Sequence, residues 1–208
     1  MSQPRPSLPD AVTTVRIIAI LRGLAPDDAV SVARALAEAG VRAIEVTVDS
    51  PSALEVIREL AGLDDVSAGA GTVLSVEQAE RAVEAGASFL ITPIVDIEVI
   101  GWAAARGVPI MPGAMTPSEI HTAWSAGAAG VKLFPAGPLG HRYLSAIRAP
   151  LPQIPLIPTG GIGADDVAPF LAAGAVAVAL GSELAAGGDA HEAGRRARAI
   201  LRTIATQA

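Results

Sequence analysis

The chain has 208 residues, 51% hydrophobic and 17% charged, with a formal net charge of −6 and no cysteine. That length suits one domain with a substantial core, and the lack of cysteine excludes disulfides and thiolate metal sites. Mean hydropathy is positive, yet no uninterrupted apolar run approaches the roughly eighteen residues of a transmembrane helix.

The first dozen residues hold three prolines and an aspartate and no apolar stretch, so no secretory leader is expected. Residues 1–14 precede the first strand and are expected to form a short helix over the bottom of the fold. Strands are then predicted near Ile17–Arg22, Ala43–Val48, Ser67–Val73, Phe89–Pro93, Pro109–Gly113, Gly130–Pro135, Leu156–Gly161 and Ala175–Ser182. A helical stretch follows each. Pro26-Asp27-Asp28, Ser50-Pro51, Ser75 with Glu77-Gln78, Thr116-Pro117 with Glu119, and Ala164-Asp165-Asp166 are helix-start signals. Ala39-Gly40-Val41, Ala85-Gly86-Ala87, Ala126-Gly127-Ala128 and Ala173-Gly174-Ala175 each close a helical run, where glycine suits a left-handed C-terminal cap. The last helix carries Arg195-Arg196-Ala197-Arg198 in an Ala-rich context. No basic patch forms, so neither nucleic acid nor a membrane is an expected partner, and the cytoplasm is the expected location. Eight βα units in one domain predict a TIM (β/α)8 barrel, with a short N-terminal extension; a flavodoxin-like open sheet of five or six strands is the runner-up.

Active sites of such barrels lie at the C-terminal ends of the strands. Those ends hold Arg22; Glu45, Thr47 and then Asp49; Gly69-Ala70-Gly71-Thr72; Thr92-Pro93; Met111-Pro112-Gly113; Lys132 and Phe134; Thr159-Gly160-Gly161; and Gly181-Ser182. Lys132 is the one lysine against fourteen arginines. It sits in an apolar run, and a lysine buried there has its ammonium form disfavoured by desolvation, which leaves a nucleophilic amine suited to Schiff-base chemistry. A lysine whose head snorkels to solvent is the plainer reading. Glu45 and Thr47 share one strand face, as do Lys132 and Phe134. If both faces point inward, a base and a nucleophile meet across the barrel mouth; a buried structural ion pair is the alternative.

Gly160-Gly161 and Gly181-Ser182 fall where the loops after strands seven and eight of many barrels bind phosphate. Other signals carry less. Gly69-Ala70-Gly71 begins like a dinucleotide fingerprint, but Leu74 stands where its last small residue belongs. His121, His141 and His191 are scattered, with no metal-ligand spacing among them, so no metal is expected. Trp102 and Trp124 lie in helices and suit the core or a subunit interface.

Taken together, Gly69–Thr72, Met111–Glu119, Val131–Pro135, Pro158–Ile162 and Leu180–Ser182 resemble the 2-keto-3-deoxy-6-phosphogluconate (KDPG) aldolases, whose siblings include the 6-phosphogalactonate and 4-hydroxy-2-oxoglutarate (KHG) aldolases. The resemblance covers nearly the whole chain. It implies a homotrimeric class I aldolase on a (β/α)8 barrel, acting on a small 2-keto acid without a cofactor. Lys132 matches the Schiff-base lysine, Glu45 the general acid/base, and Thr72 a residue that binds the pyruvate carboxylate. Pro93 and Phe134 match pocket residues beside the imine. Thr159, Gly160, Gly161, Gly181 and Ser182 match the sugar and phosphate end. One position departs: some members carry a carboxylate-binding arginine four residues after the glutamate, where this chain has Asp49. Other members have an arginine at the end of strand one in a Leu-Arg context like Leu21-Arg22, so the carboxylate role is expected of Arg22. Two other classes are open, a phosphosugar epimerase or isomerase and a non-catalytic oligomeric barrel scaffold.

Overall fold

The computed structural model describes residues 5–206. Ten α-helices and nine strands alternate along it. They run α1 (Asp10–Val15), β1 (Ile17–Leu21), α2 (Pro26–Glu38), β2 (Ala43–Thr47), α3 (Ala53–Ala61), β3 (Ser67–Gly71), α4 (Val76–Glu84), β4 (Phe89–Ile91), α5 (Ile97–Ala105) and β5 (Ile110–Met111). There follow β6 (Gly113–Ala114), α6 (Pro117–Ser125), β7 (Val131–Leu133), α7 (Gly140–Arg148), β8 (Leu156–Pro158), α8 (Ala164–Ala172), β9 (Val178–Leu180), α9 (Ser182–Ala185) and α10 (Ala190–Ala205).

All pairings are parallel. One sheet has the order β5-β4-β3-β2-β1-β9 and the other β6-β7-β8. The result is an α/β fold with a curled parallel sheet. The fifth strand expected from the sequence is divided into β5 and β6 at Pro112, whose ring nitrogen has no proton to give to a ladder. The Pro112 carbonyl still accepts from Lys132 N–H at 2.9 Å, and Ala129 N–H donates to Ile110 O at 2.9 Å. At the other seam Val176 N–H donates to Leu156 O at 3.0 Å, and Thr159 bridges Ala179.

Local chemistry explains most boundaries. Thr116 and Glu119 form a reciprocal capping box on α6, and Ser75 accepts from Gln78 N–H to open α4. Gly40, Gly86, Gly127 and Gly174, which follow α2, α4, α6 and α8, all have φ between 99° and 113°, a region a β-carbon disfavours. The Ser50-Pro51 signal opens α3 two residues later than the sequence suggests, with Ser52 in the left-handed region.

Two apolar clusters result. The larger fills the layer between strands and helices. The smaller joins Val12, Ile18, Ala43, Phe89, Ile91, Met111, Ile157, Ala177 and Ala179 inside the curl of the sheet. Val12 belongs to α1, so the expected N-terminal helix exists and plugs the end of the curl opposite the site; of the segment 1–14, residues 1–4 lie outside the described residues. Burial of a Val-, Ile- or Phe-sized side chain contributes about 1.5–3 kcal/mol, so this plug closes the base firmly and leaves the strand C-termini as the open end. Among the described residues no helix is long and apolar enough to cross a membrane.

Candidate active site

At those strand C-termini lies a cavity of about 850 Å³, within the range of small-molecule sites. Arg22, Glu45, Thr72, Pro93, Lys132, Phe134, Thr159, Gly160, Gly161, Gly181 and Ser182 all line it. Thr47 does not. It is fully buried, and its hydroxyl is 2.8 Å from Ser50 Oγ, which also accepts from Gly23 N–H at 2.9 Å. It lies beyond Glu45 on β2, with its hydroxyl paired to Ser50 in the turn that follows. Among the lining residues the sequence reading missed are Ile20, Leu24, Ile162, Ala179 and Glu183; the apolar ones carry no chemical signal that separates them from core.

Lys132 is central to β7, with Gly113 on one side in register and Ile157 on the other. Its side chain is only 6% exposed, and Nζ lies 5.0 Å from the centre of the Phe134 ring. Burial pushes its pKa down; the Arg22 cation adds to this and Glu45 opposes it. Glu45, on β2, is 1% exposed. Both its carboxyl oxygens are buried with no hydrogen-bond partner in the protein. Burial pushes its pKa up, against the pull of Lys132 and Arg22, and Asp49 adds to the rise. Burial thus moves the two groups toward one another, the amine down and the carboxyl group up, which suits an exchange of protons between this pair and a substrate. A buried carboxyl group without partners costs stability, so a functional reason for it is required.

Gly71 makes room for that carboxyl group. A β-carbon there would lie 2.5 Å from Glu45 Cδ and 2.6 Å from Cγ. Gly113, in register beside Lys132, instead lets the backbone after β4 approach closely, since a β-carbon there would meet the Pro93 carbonyl carbon at 2.5 Å. At the far end, Gly160 has φ 87° and would place a β-carbon 2.8 Å from the Phe134 ring. Thr159 is buried, its hydroxyl donating to Ile157 O at 3.2 Å.

Arg22 is held from two sides. Nη1 donates to Asp49 Oδ2 at 2.8 Å, and Nη2 donates to Thr72 Oγ1 at 2.6 Å. Thr72 has φ 59°, a strained conformation for a β-branched residue and one that clusters at functional sites. The three histidines do not line the cavity. Among the described residues no three His, Asp or Glu side chains gather as a metal site.

Residues 8–195 match the profile of the family described as KDPG and KHG aldolase. The chain belongs to that family, and with it to the lyases. The 2-dehydro-3-deoxy-6-phosphogalactonate aldolase of Escherichia coli (strain K12) is 36% identical over 184 residues, 86% of this chain and 89% of that protein. A solved KDPG aldolase from Legionella pneumophila, with pyruvate captured at low pH as a covalent carbinolamine intermediate, superposes with a TM-score of 0.84 at 27% identity, covering 91% of this chain and 96% of that one. A chain of a cube-shaped, highly porous cage designed by fusing symmetric oligomeric domains superposes with a TM-score of 0.87 at 34% identity, covering 92% of this chain and 74% of that one. A carbinolamine is the adduct of an amine with a ketone, and Lys132 is the sole lysine in this family member.

Proposed function

We propose that this family member is a class I aldolase that cleaves KDPG, or a close 2-keto-3-deoxy or 4-hydroxy-2-oxo acid, to pyruvate and an aldehyde such as glyceraldehyde 3-phosphate. The observation that carries the reading is one buried amine and one buried, unpartnered carboxyl group lining the same cavity.

The Lys132 amine attacks the C2 ketone to form a carbinolamine, which loses water to give an iminium. The C4 hydroxyl gives its proton to Glu45, directly or through one water. The C3–C4 bond breaks, its electron pair flows into the iminium, and the aldehyde departs from an enamine. Glu45 returns the proton to C3, and water hydrolyses the new iminium to pyruvate and free Lys132. The iminium is the electron sink, so the sequence of steps calls for no cofactor. Arg22 and Thr72 hold the substrate carboxylate, for which a guanidinium supplies paired donors. Pro93 and Phe134 wall the imine. Thr159, Gly160, Gly161, Gly181 and Ser182 receive the sugar and its phosphate, where backbone N–H groups of Gly-rich turns suit an anion.

We read the strands as one closed (β/α)8 barrel, with β5 and β6 as halves of a single strand; the main-chain bonds across both seams support this. A homotrimer in the cytoplasm completes the proposal. Leu74, Ile94, Ile97 and Met115 are exposed apolar residues that follow β3, β4 and β6, as a subunit interface would require. Light scattering at micromolar concentration should give three times the chain mass, and a clean monomer would refute it.

A panel of phosphorylated and unphosphorylated 2-keto-3-deoxy acids, assayed for pyruvate release, tests the activity. KDPG should be cleaved with relaxed stereochemistry at C4, and 4-hydroxy-2-oxoglutarate more weakly. Equal efficiency on phosphorylated and unphosphorylated acids would refute the phosphate end, and no pyruvate from any of them would refute the activity.

A further inference from the structure

We infer that Asp49 is a positioning residue, which acts by fixing the Arg22 guanidinium over the cavity mouth. The inference rests on the carboxylate role proposed for Arg22.

Asp49 lies just past the end of β2, in a turn tied down at several points. Val48 N–H donates to Gly71 O at 2.9 Å, and Ser50 N–H donates to Thr47 O at 2.9 Å. Ser50 Oγ, 2.8 Å from Thr47 Oγ1, accepts from Gly23 N–H, which follows Arg22 in the chain. The turn after β1, which carries Arg22, and the turn after β2, which carries Asp49, are thereby bolted together through Ser50, which buried Thr47 braces from beneath. This explains what Thr47 does in place of lining the pocket.

Within this frame the guanidinium has two anchors of different kinds. Asp49 accepts a hydrogen bond from Nη1, and the strained Thr72 accepts one from Nη2. Five donors minus these two leave three, including Nε–H, for a planar carboxylate. The ion pair is half exposed at both side chains, 56% and 50%, so as a stabilising contact it is worth little. Its use lies in removing the rotamer freedom of a long side chain before substrate arrives, which would otherwise be lost on binding. The charge has a second consequence. Asp49 adds to the raised pKa of Glu45 while Arg22 lowers it, so Asp49 also offsets the effect of placing a cation beside a carboxyl group that must accept and return a proton.

The test is condensation of pyruvate with glyceraldehyde 3-phosphate by Asp49→Ala, Asp49→Asn, Arg22→Ala and the Arg22→Ala/Asp49→Ala double variant. Asp49→Ala should raise KM for pyruvate roughly 3–10-fold, with kcat moving less. Asp49→Asn, which keeps an oxygen for Nη1, should recover most of that loss. In the Arg22→Ala background, Asp49→Ala should add less than about twofold, because its effect runs through Arg22. An unchanged or lowered KM in Asp49→Ala, or losses that multiply in the double variant, overturns the proposal. A crystal structure of Asp49→Ala gives a readout independent of turnover: the guanidinium should leave Thr72, and a guanidinium still bonded there overturns the proposal. Failure of wild type to form a borohydride-stable adduct with pyruvate would instead strike at the aldolase reading itself.

Discussion

Replacing Gly71 with alanine adds one methyl group and should disable the site. The backbone of Gly71 lies outside the left-handed region, so alanine fits it without strain; the whole penalty is contact. The new β-carbon would fall 2.5 Å from Glu45 Cδ and 2.6 Å from Cγ, and nearer still to Oε1. Carbon atoms pack at about 3.5–4.0 Å, so the carboxyl group must retreat by roughly 1 Å. It has nowhere easy to go, because Glu45 is 1% exposed. A misplacement of that size costs on the order of 10²-fold in rate, while overpacking costs about 1–3 kcal/mol of stability. The assay is kcat for pyruvate release, with thermal unfolding and borohydride trapping of pyruvate measured alongside. Trapping should survive, since Lys132 is untouched, while kcat falls. In an enzyme already carrying Glu45→Ala, Gly71→Ala should cost nothing further. Near-normal kcat in Gly71→Ala, or a loss that multiplies with Glu45→Ala, would refute the argument that Gly71 acts by making space for Glu45.

Glu45→Gln should slow turnover by roughly 10²–10⁴-fold in a steady-state pyruvate assay, while imine formation persists. The buried pair also sets two pH responses. Lys132 is lowered by burial, so pyruvate trapping should hold at neutral pH, well below where an ordinary lysine reacts, and Arg22→Ala should move its midpoint upward. Glu45 is raised by burial, so stability is greatest while the group is protonated and falls as pH rises from the ordinary carboxylate range through its folded pKa, where the buried group must ionise; unfolding of Glu45→Gln against pH should lack that decline. Ser182→Ala should raise KM for KDPG roughly 10–100-fold, the worth of one hydrogen bond to a charged group, and leave unphosphorylated acids unaffected.

Much of this was legible before any coordinates, for physical reasons. Helices ending in Ala-Gly and followed by apolar strands announce parallel βα units, because glycine takes the left-handed cap and the strands are covered on both faces. The eight predicted strands correspond to the nine observed, the difference being Pro112, where a missing N–H interrupts the ladder. Lys132 and Glu45 stood out because a charge in an apolar strand needs a reason. What the sequence could not reveal is where side chains end. Thr47 shares a strand face with Glu45, and alternation alone suggests it joins the pocket; its hydroxyl is instead consumed by Ser50. The partnership of Asp49 with Arg22 joins residues 27 apart in sequence and appears only when β1 and β2 lie side by side. Gly71 looked like part of a glycine motif, but its reason is the neighbouring carboxyl group, which no spacing rule encodes.

The central claim is that Lys132 forms the Schiff base, and borohydride reduction in the presence of pyruvate tests it most directly. The account predicts one stable adduct per chain, mapped to the peptide carrying Lys132, with activity lost in both Lys132→Ala and Lys132→Arg, since a guanidinium stays protonated and forms no imine. Undiminished activity in a chelator should accompany it. An active Lys132→Ala enzyme, or wild type that turns over substrate yet yields no adduct at Lys132, would contradict it.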